Sequence, residues 1–141
     1  MATAMISKKM FLWTAVLAIA LAVQSDLQAA PAGAKTIVGS WTGTAAQNVG
    51  KSNYTVVMTI TATGAETNYP ELNCGGKLKR VGSSGGYVFF LETITRGGKS
   101  TGGSCINGAV TVTLEGTNLA WGWVGSDGGQ VYVAWSNLVR K

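Results

Sequence analysis

Residues 107–135 read NGAVTVTLEGTNLAWGWVGSDGGQVYVAW, and this stretch decides the fold. In its first part the apolar residues Val110, Val112 and Leu114 alternate with polar side chains. Such an alternation with period two predicts a β-strand that has one apolar face. The stretch therefore predicts a β-structure rather than a helix.

Turn signals separate the predicted strands. Asn107-Gly108 directly before the first strand is a dipeptide typical of tight turns. Residues 119–124 and 131–135 predict two more strands, and residues 125–129 between them predict a turn by their composition. Residues 83–86 predict another turn on the same grounds.

The same organisation extends through residues 36–141. Residues 54–61 alternate between apolar and polar, with Val57 as the one exception, and residues 87–96 are rich in strand-forming side chains. No useful window after the N-terminal segment has apolar residues at helical spacing. About eight short strands joined by short turns predict an all-β fold, an antiparallel eight-stranded up-and-down barrel. Side chains can fill the interior of such a barrel, or it can hold one small ligand.

The N-terminal segment predicts export. Lys8 and Lys9 precede an apolar run over residues 10–23, and small residues follow with cleavage sites after Ala29 or Ala34. This pattern is typical of a secretory signal peptide, here residues 1–29, followed by a disordered leader over residues 30–35. The alternative is an uncleaved anchor, but the run is short for a bilayer span of about 20 apolar residues. We expect a periplasmic or secreted protein, with residues 36–141 as its one domain and no membrane span after cleavage.

The chain has two cysteines, Cys74 and Cys105. In an exported protein an even number of cysteines favours a disulfide, and two cysteines allow one intramolecular pairing. The alternative is a pair of free thiols. The chain has no histidine, so an activated Cys-His pair is excluded.

Charge argues against a nucleic-acid partner. The formal net charge is +5, but the basic residues are scattered along the chain. From Lys35 onward, Lys77, Lys79 and Arg80 are the one group of three basic residues close together in the sequence. A nucleic-acid-binding surface has a denser basic patch or stripe, so we expect no nucleic-acid partner.

An enzyme is the least favoured class. General acid–base chemistry near neutral pH most often uses histidine, which is absent. Nothing in the spacing of the carboxylates makes two of them converge in a cleft or form a metal site, so we expect no catalytic residues, no metal and no cofactor. Residues 97–101 read GGKST but are not a phosphate loop, because Thr93 occupies the position of the required first glycine.

Glu92 is the most informative ionisable residue. It shares a strand face with Val88, Phe90 and Ile94. If that face is the interior, the carboxylate is buried and must be paired or neutral, with Arg96 as a candidate partner. If the opposite face of the strand is the interior, Glu92 lies in water.

The C-terminal hairpin leaves a second alternative open. If Val124 faces Val131, then Trp121, Trp123 and Tyr132 share one face. Either these aromatic side chains fill the core, or they form an outer platform for sugars or a protein. A slip of one residue in the register would reverse the faces. Together with Glu92 they are the predicted binding residues.

Gly39-Ser40-Trp41 lies at the start of the first predicted strand, and Arg140 lies at the end of the chain. A Gly-x-Trp motif near the N-terminus with a late basic residue resembles the calycin superfamily of lipocalins, fatty-acid-binding proteins and avidins. The resemblance implies that Trp41 closes one end of the barrel and that Arg140 packs over its indole in a cation–π contact.

A second resemblance covers residues 39–123. It rests on Tyr69-Pro70-Glu71-Leu72-Asn73-Cys74-Gly75-Gly76, Phe90, Glu92, Ile94, Gly97, Cys105, Gly108, Leu119, Trp121 and Trp123. These residues resemble an uncharacterised extracytoplasmic domain of bacteria, which occurs alone in exported proteins and at the C-terminus of some membrane-anchored Ser/Thr kinases. The resemblance implies a fold, a compartment and pairing of Cys74 with Cys105, and it implies no chemistry.

These observations predict a non-catalytic exported binding module. Its partner is a small apolar ligand in the barrel mouth or an extracytoplasmic protein at the loops. The alternative is an inhibitor of a protease or of lysozyme, because exported bacterial inhibitors of both kinds are also eight-stranded barrels with one disulfide. The loop motif of the lysozyme inhibitors is not visible here. A structural envelope protein is the second alternative.

Overall fold

The fold is a closed eight-stranded antiparallel barrel. A computed structural model describes residues 36–141; the predicted signal peptide and leader lie outside these described residues. Each strand pairs with the next along the chain, and the last pairs with the first. The up-and-down barrel predicted from the sequence is therefore confirmed. The strands are β1 (Gly39–Gln47), β2 (Asn53–Ile60), β3 (Gly64–Tyr69), β4 (Cys74–Ser84), β5 (Tyr87–Arg96), β6 (Gly108–Glu115), β7 (Asn118–Asp127) and β8 (Gln130–Arg140), with two short 3₁₀ turns at Pro70–Leu72 and Lys99–Thr101.

The alternation of apolar and polar residues in the sequence corresponds to side chains that point into the barrel and side chains that point out of it. In β2 the alternate residues Tyr54, Val56, Met58 and Ile60 are buried, and the others are partly or fully exposed. Fully burying an aliphatic side chain of this size contributes about 1.5 to 3 kcal/mol. The inward-facing side chains of the strands together form the hydrophobic core of the barrel.

The register of the β7–β8 hairpin differs from the expected one by two residues. Val124 pairs with Val133, and the turn contains only Gly128 and Gly129. Their φ angles of 55° and 83° match a type I′ turn, which requires positive φ at both central residues. Because side chains alternate with period two, a shift of two residues leaves every side chain on its predicted face.

The tight turn predicted at Asn107-Gly108 is wrong. Gly108 is the first residue of β6, where it pairs with Glu92, and the amide N–H of Ile94 donates to Asn107 Oδ1 at 2.9 Å. Strands β5 and β6 are instead joined by a longer loop, residues 97–107. The disulfide between Cys74 and Cys105 fastens this loop to the start of β4, so the predicted pairing is confirmed.

The two ends of the barrel differ in their connections. At the end where β1 begins, the connections are short, namely residues 61–63, 85–86 and 116–117. We call this the closed end. At the opposite, open end the connections are residues 48–52, 70–73, 97–107 and the glycine turn after β7. Among residues 36–141 there is no helix with the length and apolar character needed to cross a membrane.

Trp41 fills the closed end. Its side chain is fully buried, and its Nε1 donates to the carbonyl oxygen of Ile37 at 2.7 Å. The guanidinium carbon of Arg140 lies 4.4 Å from the centre of the indole, a cation–π distance. The same guanidinium donates to the carbonyl oxygens of Thr36 and Val38 at 2.7 and 3.0 Å. Arg140 thereby fixes the segment before β1 across the end of the barrel.

Candidate functional site

A cavity of about 380 Å³ opens at the open end of the barrel. Pockets for small ligands have volumes of about 300 to 1,000 Å³, so this one is large enough for a small organic molecule. Aromatic and aliphatic side chains form its walls, and polar or charged side chains lie around its mouth. The lining residues are Gln47, Gly50, Lys51, Tyr54, Tyr69, Leu72, Glu92, Ile94, Lys99, Ser104, Cys105, Ile106, Trp123, Asp127 and Tyr132.

Glu92 is the acidic group at the inner end of this cavity. It lies in the middle of β5 and is only 2% exposed, so of the two alternatives the structure has the buried one. Tyr69 Oη donates to Oε1 at 2.8 Å, and Thr67 Oγ1 donates to the same oxygen. Trp123 Nε1 donates to Oε2 at 2.7 Å. Three neutral donors from β3 and β7 thus orient the carboxyl group.

The surroundings of Glu92 shift its titration and that of its neighbours. Burial raises the pKa of Glu92, and the hydrogen bonds from Thr67, Tyr69 and Trp123 oppose this rise. Burial, together with the charge of Glu92, raises the pKa of Tyr54 to about 12. The same two causes raise the pKa of Tyr69 well above its ordinary value. Both tyrosines therefore stay neutral at physiological pH, and Glu92 is the one acidic group deep in the cavity.

Arg96 does not pair with Glu92, so the sequence-based candidate is wrong. Its guanidinium donates to Asn68 Oδ1 and to the carbonyl oxygen of Cys74, the latter at 3.3 Å. The reason is a β-bulge between β4 and β5: Ile94 pairs with Gly76, Arg96 pairs with Gly75, and the residue between them has no partner. A bulge interrupts the alternation of side chains. Arg96 consequently leaves the face that Glu92 occupies.

The predicted aromatic residues separate into two groups. Trp123 and Tyr132 line the cavity. Trp121 lies deeper, 3% exposed, with its ring centre 6.5 Å from that of Tyr69, and it is not among the lining residues. The tryptophans of β7 therefore face inward, and the outward-facing tryptophan is Trp135, which is 53% exposed.

Two glycines make room for the indole of Trp123. A Cβ atom at Gly108 would lie 2.4 Å from Trp123 Cε2, and one at Gly125 would lie 2.4 Å from Cη2. Both distances are far inside van der Waals contact, so only glycine fits without displacing the ring. Gly108 is also the partner of Glu92 in the β5–β6 pairing, which brings the indole beside the carboxylate.

Sequence reasoning missed Thr67 and Tyr69 as partners of Glu92. Strand β3 reads GAETNY and lacks an apolar stripe, so its period-two signal is weak. Its inward face consists of Ala65, Thr67 and Tyr69, all buried. Those three positions are two residues apart, and this spacing is the signal that could have found them.

The loop of residues 97–107 forms one wall of the cavity. Ser104, Cys105 and Ile106 line the cavity, and the disulfide to Cys74 anchors them. Lys99 in the same loop makes an ion pair with Asp127 across the mouth. An exposed ion pair of this kind contributes about 0 to 1 kcal/mol. The disulfide and the backbone hydrogen bonds within the loop are therefore stronger restraints on this wall.

Within residues 36–141 no group of three or more cysteine, aspartate or glutamate side chains is placed to hold a metal ion. What the described residues place in the cavity is an oriented carboxyl group among aromatic and aliphatic walls.

No protein-family model matches this chain, and no curated protein or solved structure matches it significantly.

Proposed function

We propose that this protein is an exported, non-catalytic module that binds a small, largely apolar ligand in the open end of its barrel. The observation that carries the proposal is the cavity itself, which has apolar walls and one oriented polar group at its inner end. Ligand sites typically combine a mostly apolar lining with a few convergent polar groups. The walls supply affinity through burial, and Glu92 supplies orientation.

The fold assignment that accompanies this proposal is calycin-like. The support is the arrangement at the closed end, where Arg140 lies over the indole of Trp41. We further propose that the chain belongs with the uncharacterised extracytoplasmic bacterial domain that its cysteine and tryptophan motifs resemble. A disulfide is compatible with a location outside the cytoplasm, because cytosolic thiols are kept reduced.

Tryptophan fluorescence of the oxidised domain tests the proposal. The protein is titrated with fatty acids and small aromatic compounds, in a Trp135→Phe background that removes the exposed tryptophan. We expect a saturable change in emission, because an occupied cavity alters the surroundings of Trp123. The matched variant Trp123→Phe should lose most of the change, whereas Trp135→Phe alone should retain it. If no compound gives a saturable and competable change, the small-ligand function is wrong.

A second candidate function is inhibition of a hydrolase, and the loop of residues 97–107 is the observation that favours it. Residues 99–104 are all exposed, and the disulfide at Cys105 holds the base of the loop. A preorganised loop loses less conformational entropy on binding a partner. An assay against proteases and lysozyme, with the exposed residues Lys99, Ser100 and Thr101 replaced by alanine, tests this candidate. Loss of inhibition in the loop variant would support it. A structural envelope role predicts neither ligand binding nor inhibition.

A further inference from the structure

We propose that the ligand of this cavity carries a protonated amine, which forms an ion pair with the carboxylate of Glu92. The inference rests on the proposed function and names the chemical class of its ligand. The ligand is then a small amphiphile, with an ammonium group at the inner end of the cavity and an apolar body toward the mouth.

The first step of the argument is the charge of Glu92. All three of its hydrogen-bond donors are neutral, namely Thr67, Tyr69 and Trp123. In the part of the chain that the structure describes, the one ion pair is between Lys99 and Asp127, so no cation accompanies Glu92. A buried carboxyl group without a counter-charge is either neutral or ionised at a large cost in free energy. An ammonium group in the cavity would supply the missing positive charge.

The second step is the hydrogen-bonding capacity of the carboxylate. A carboxylate offers about four acceptor positions, two on each oxygen. Thr67 and Tyr69 occupy both positions on Oε1, while Trp123 occupies one position on Oε2. The second position on Oε2 is left for a ligand. An ammonium N–H can donate there without displacing any of the three protein donors, and such charge-assisted bonds are the stronger kind.

The third step is the composition of the walls. Tyr54, Tyr69, Trp123 and Tyr132 all line the cavity. Aromatic rings attract cations by about 0.5 to 2 kcal/mol each when the cation lies over a ring face. Tyr69 and Trp123 direct their O–H and N–H groups at Glu92, so the rings of Tyr54 and Tyr132 are the ones that remain for such a contact.

The charges at the mouth do not oppose this preference. Lys99 is neutralised by Asp127, and Lys51 is exposed at the rim. Charges in contact with water are screened over about 8 Å at physiological ionic strength. Glu92 at the inner end therefore sets the sign of the charge that the cavity recognises.

The experiment compares amines with alcohols of matched shape. Binding of 2-phenylethylamine and 2-phenylethanol, and of octylamine and 1-octanol, is measured by calorimetry near pH 7.5. We expect each amine to bind at least tenfold more tightly than its alcohol. In Glu92→Gln the ratio should fall to about one, because glutamine keeps the shape and loses the charge. The matched control is Glu66→Gln, which removes an exposed carboxylate from the same barrel and should leave the ratio unchanged.

A pH series on the unmodified protein covers the case in which Glu92→Gln fails to fold. The amine affinity should fall as the pH drops and Glu92 becomes protonated, whereas the alcohol affinity should stay constant. The other ionisable groups that line the cavity are Tyr54, Tyr69, Lys51, Lys99, Asp127 and Tyr132. Of these, Asp127 alone is a carboxyl group, so Asp127→Asn should show the same pH profile.

The outcomes separate the two proposals. If an amine and its alcohol bind with equal affinity, and both also change the emission of Trp123, the cavity binds small ligands but the amine inference is wrong. If neither member of either pair binds, and the fatty acids and aromatic compounds also fail, both proposals are wrong. An amine preference that persists in Glu92→Gln would likewise overturn the assignment to Glu92.

Discussion

The two ends of the barrel use a tryptophan and a charged residue in opposite ways. At the closed end, Trp41 donates to a backbone carbonyl, and Arg140 lies on the outside of its ring with its own hydrogen bonds to backbone oxygens. At the open end, Trp123 donates to the carboxyl group of Glu92, which lies inside the barrel beside the cavity. The cation is exposed and its remaining N–H groups can reach water, whereas the carboxyl group of Glu92 is buried and has room for one more donor. At the closed end the pair fixes the segment before β1, and at the open end it lines the cavity for which we propose ligand binding.

The largest effect that this comparison predicts is at the closed end. Trp41→Ala should lower the free energy of unfolding by about 3 to 5 kcal/mol, because it removes a fully buried indole and leaves a void. Denaturant unfolding of the oxidised domain measures the loss. Trp135→Ala, at an exposed position, is the control and should change stability by less than about 1 kcal/mol. Equal losses in the two variants would contradict the assignment of Trp41 to the core.

The disulfide is expected to have the next largest effect, and it lies at the open end. Replacing both Cys74 and Cys105 by serine should lower the free energy of unfolding by roughly 2 to 4 kcal/mol, since the bridge spans 31 residues. Chemical reduction of the unmodified protein should give a loss of similar size. Because the bridge anchors the 97–107 loop, the variant should also bind cavity ligands more weakly. Unchanged binding would mean that this wall holds its shape without the bridge.

A smaller effect is expected when the cation of the closed end is removed. Arg140→Met keeps much of the apolar stem and removes the cation–π contact and the hydrogen bonds to Thr36 and Val38. The expected loss is about 1 to 2 kcal/mol. The matched variant Lys141→Met, which removes the neighbouring positive charge, should have almost no effect. Thermal unfolding of the two variants side by side checks the difference.

The smallest effect is expected in the pH dependence of stability at the open end, because hydrogen bonds to Glu92 oppose the effect of its burial. Burial raises the pKa of Glu92 in the folded state above its unfolded value, so the folded protein holds the proton more tightly. Its contribution to stability is therefore largest below about pH 4, the unfolded pKa, and is lost as the pH rises through the folded pKa. Relative to Glu92→Gln, the unmodified protein should become less stable as the pH rises above about 4.

Glu71 contributes to the pH dependence of stability in the opposite direction from Glu92. Its contribution must therefore be the same in the two proteins that are compared. Hydrogen bonds from the hydroxyl and the amide of Thr55 lower the pKa of Glu71. Its contribution is present above the unfolded pKa and is lost as the pH falls. Both proteins in the comparison retain Glu71, so the difference between their curves reports Glu92. Glu66→Gln should reproduce the unmodified curve, and a matching shift there would refute the assignment.

Regular alternation made the barrel predictable from the sequence. Residues 54–60 and 110–114 place one apolar face inward whatever their exact pairing. In the last hairpin even a wrong register left the prediction intact, because the shift from Val131 to Val133 was two residues. The fold, and the side of the strand on which each residue lies, therefore depend on whether its position in the alternation is odd or even. This alternation can be read directly from the sequence.

The candidate site was harder to predict because it depends on departures from alternation. Strand β5 has apolar residues on both faces, with Phe89 and Leu91 exposed and Phe90 buried, so the position of Glu92 stayed open. The bulge next to Gly75 then turned Arg96 away from it. A β-bulge of this kind forms where two strands pair, so it cannot be predicted from the sequence of one strand alone.

The pairing of β1 with β8 determines the side of the barrel from which a polypeptide fused to either strand would emerge. Trp41 pairs with Arg140, and the amide N–H of Lys141 donates to the carbonyl oxygen of Ser40 at 2.9 Å, so the first and last strands begin and end side by side at the closed end. A polypeptide fused to either strand would therefore emerge opposite the cavity and leave its mouth free. A short linker could also join the two strands in a circular permutant, with new termini opened at residues 85–86, without altering any wall of the cavity.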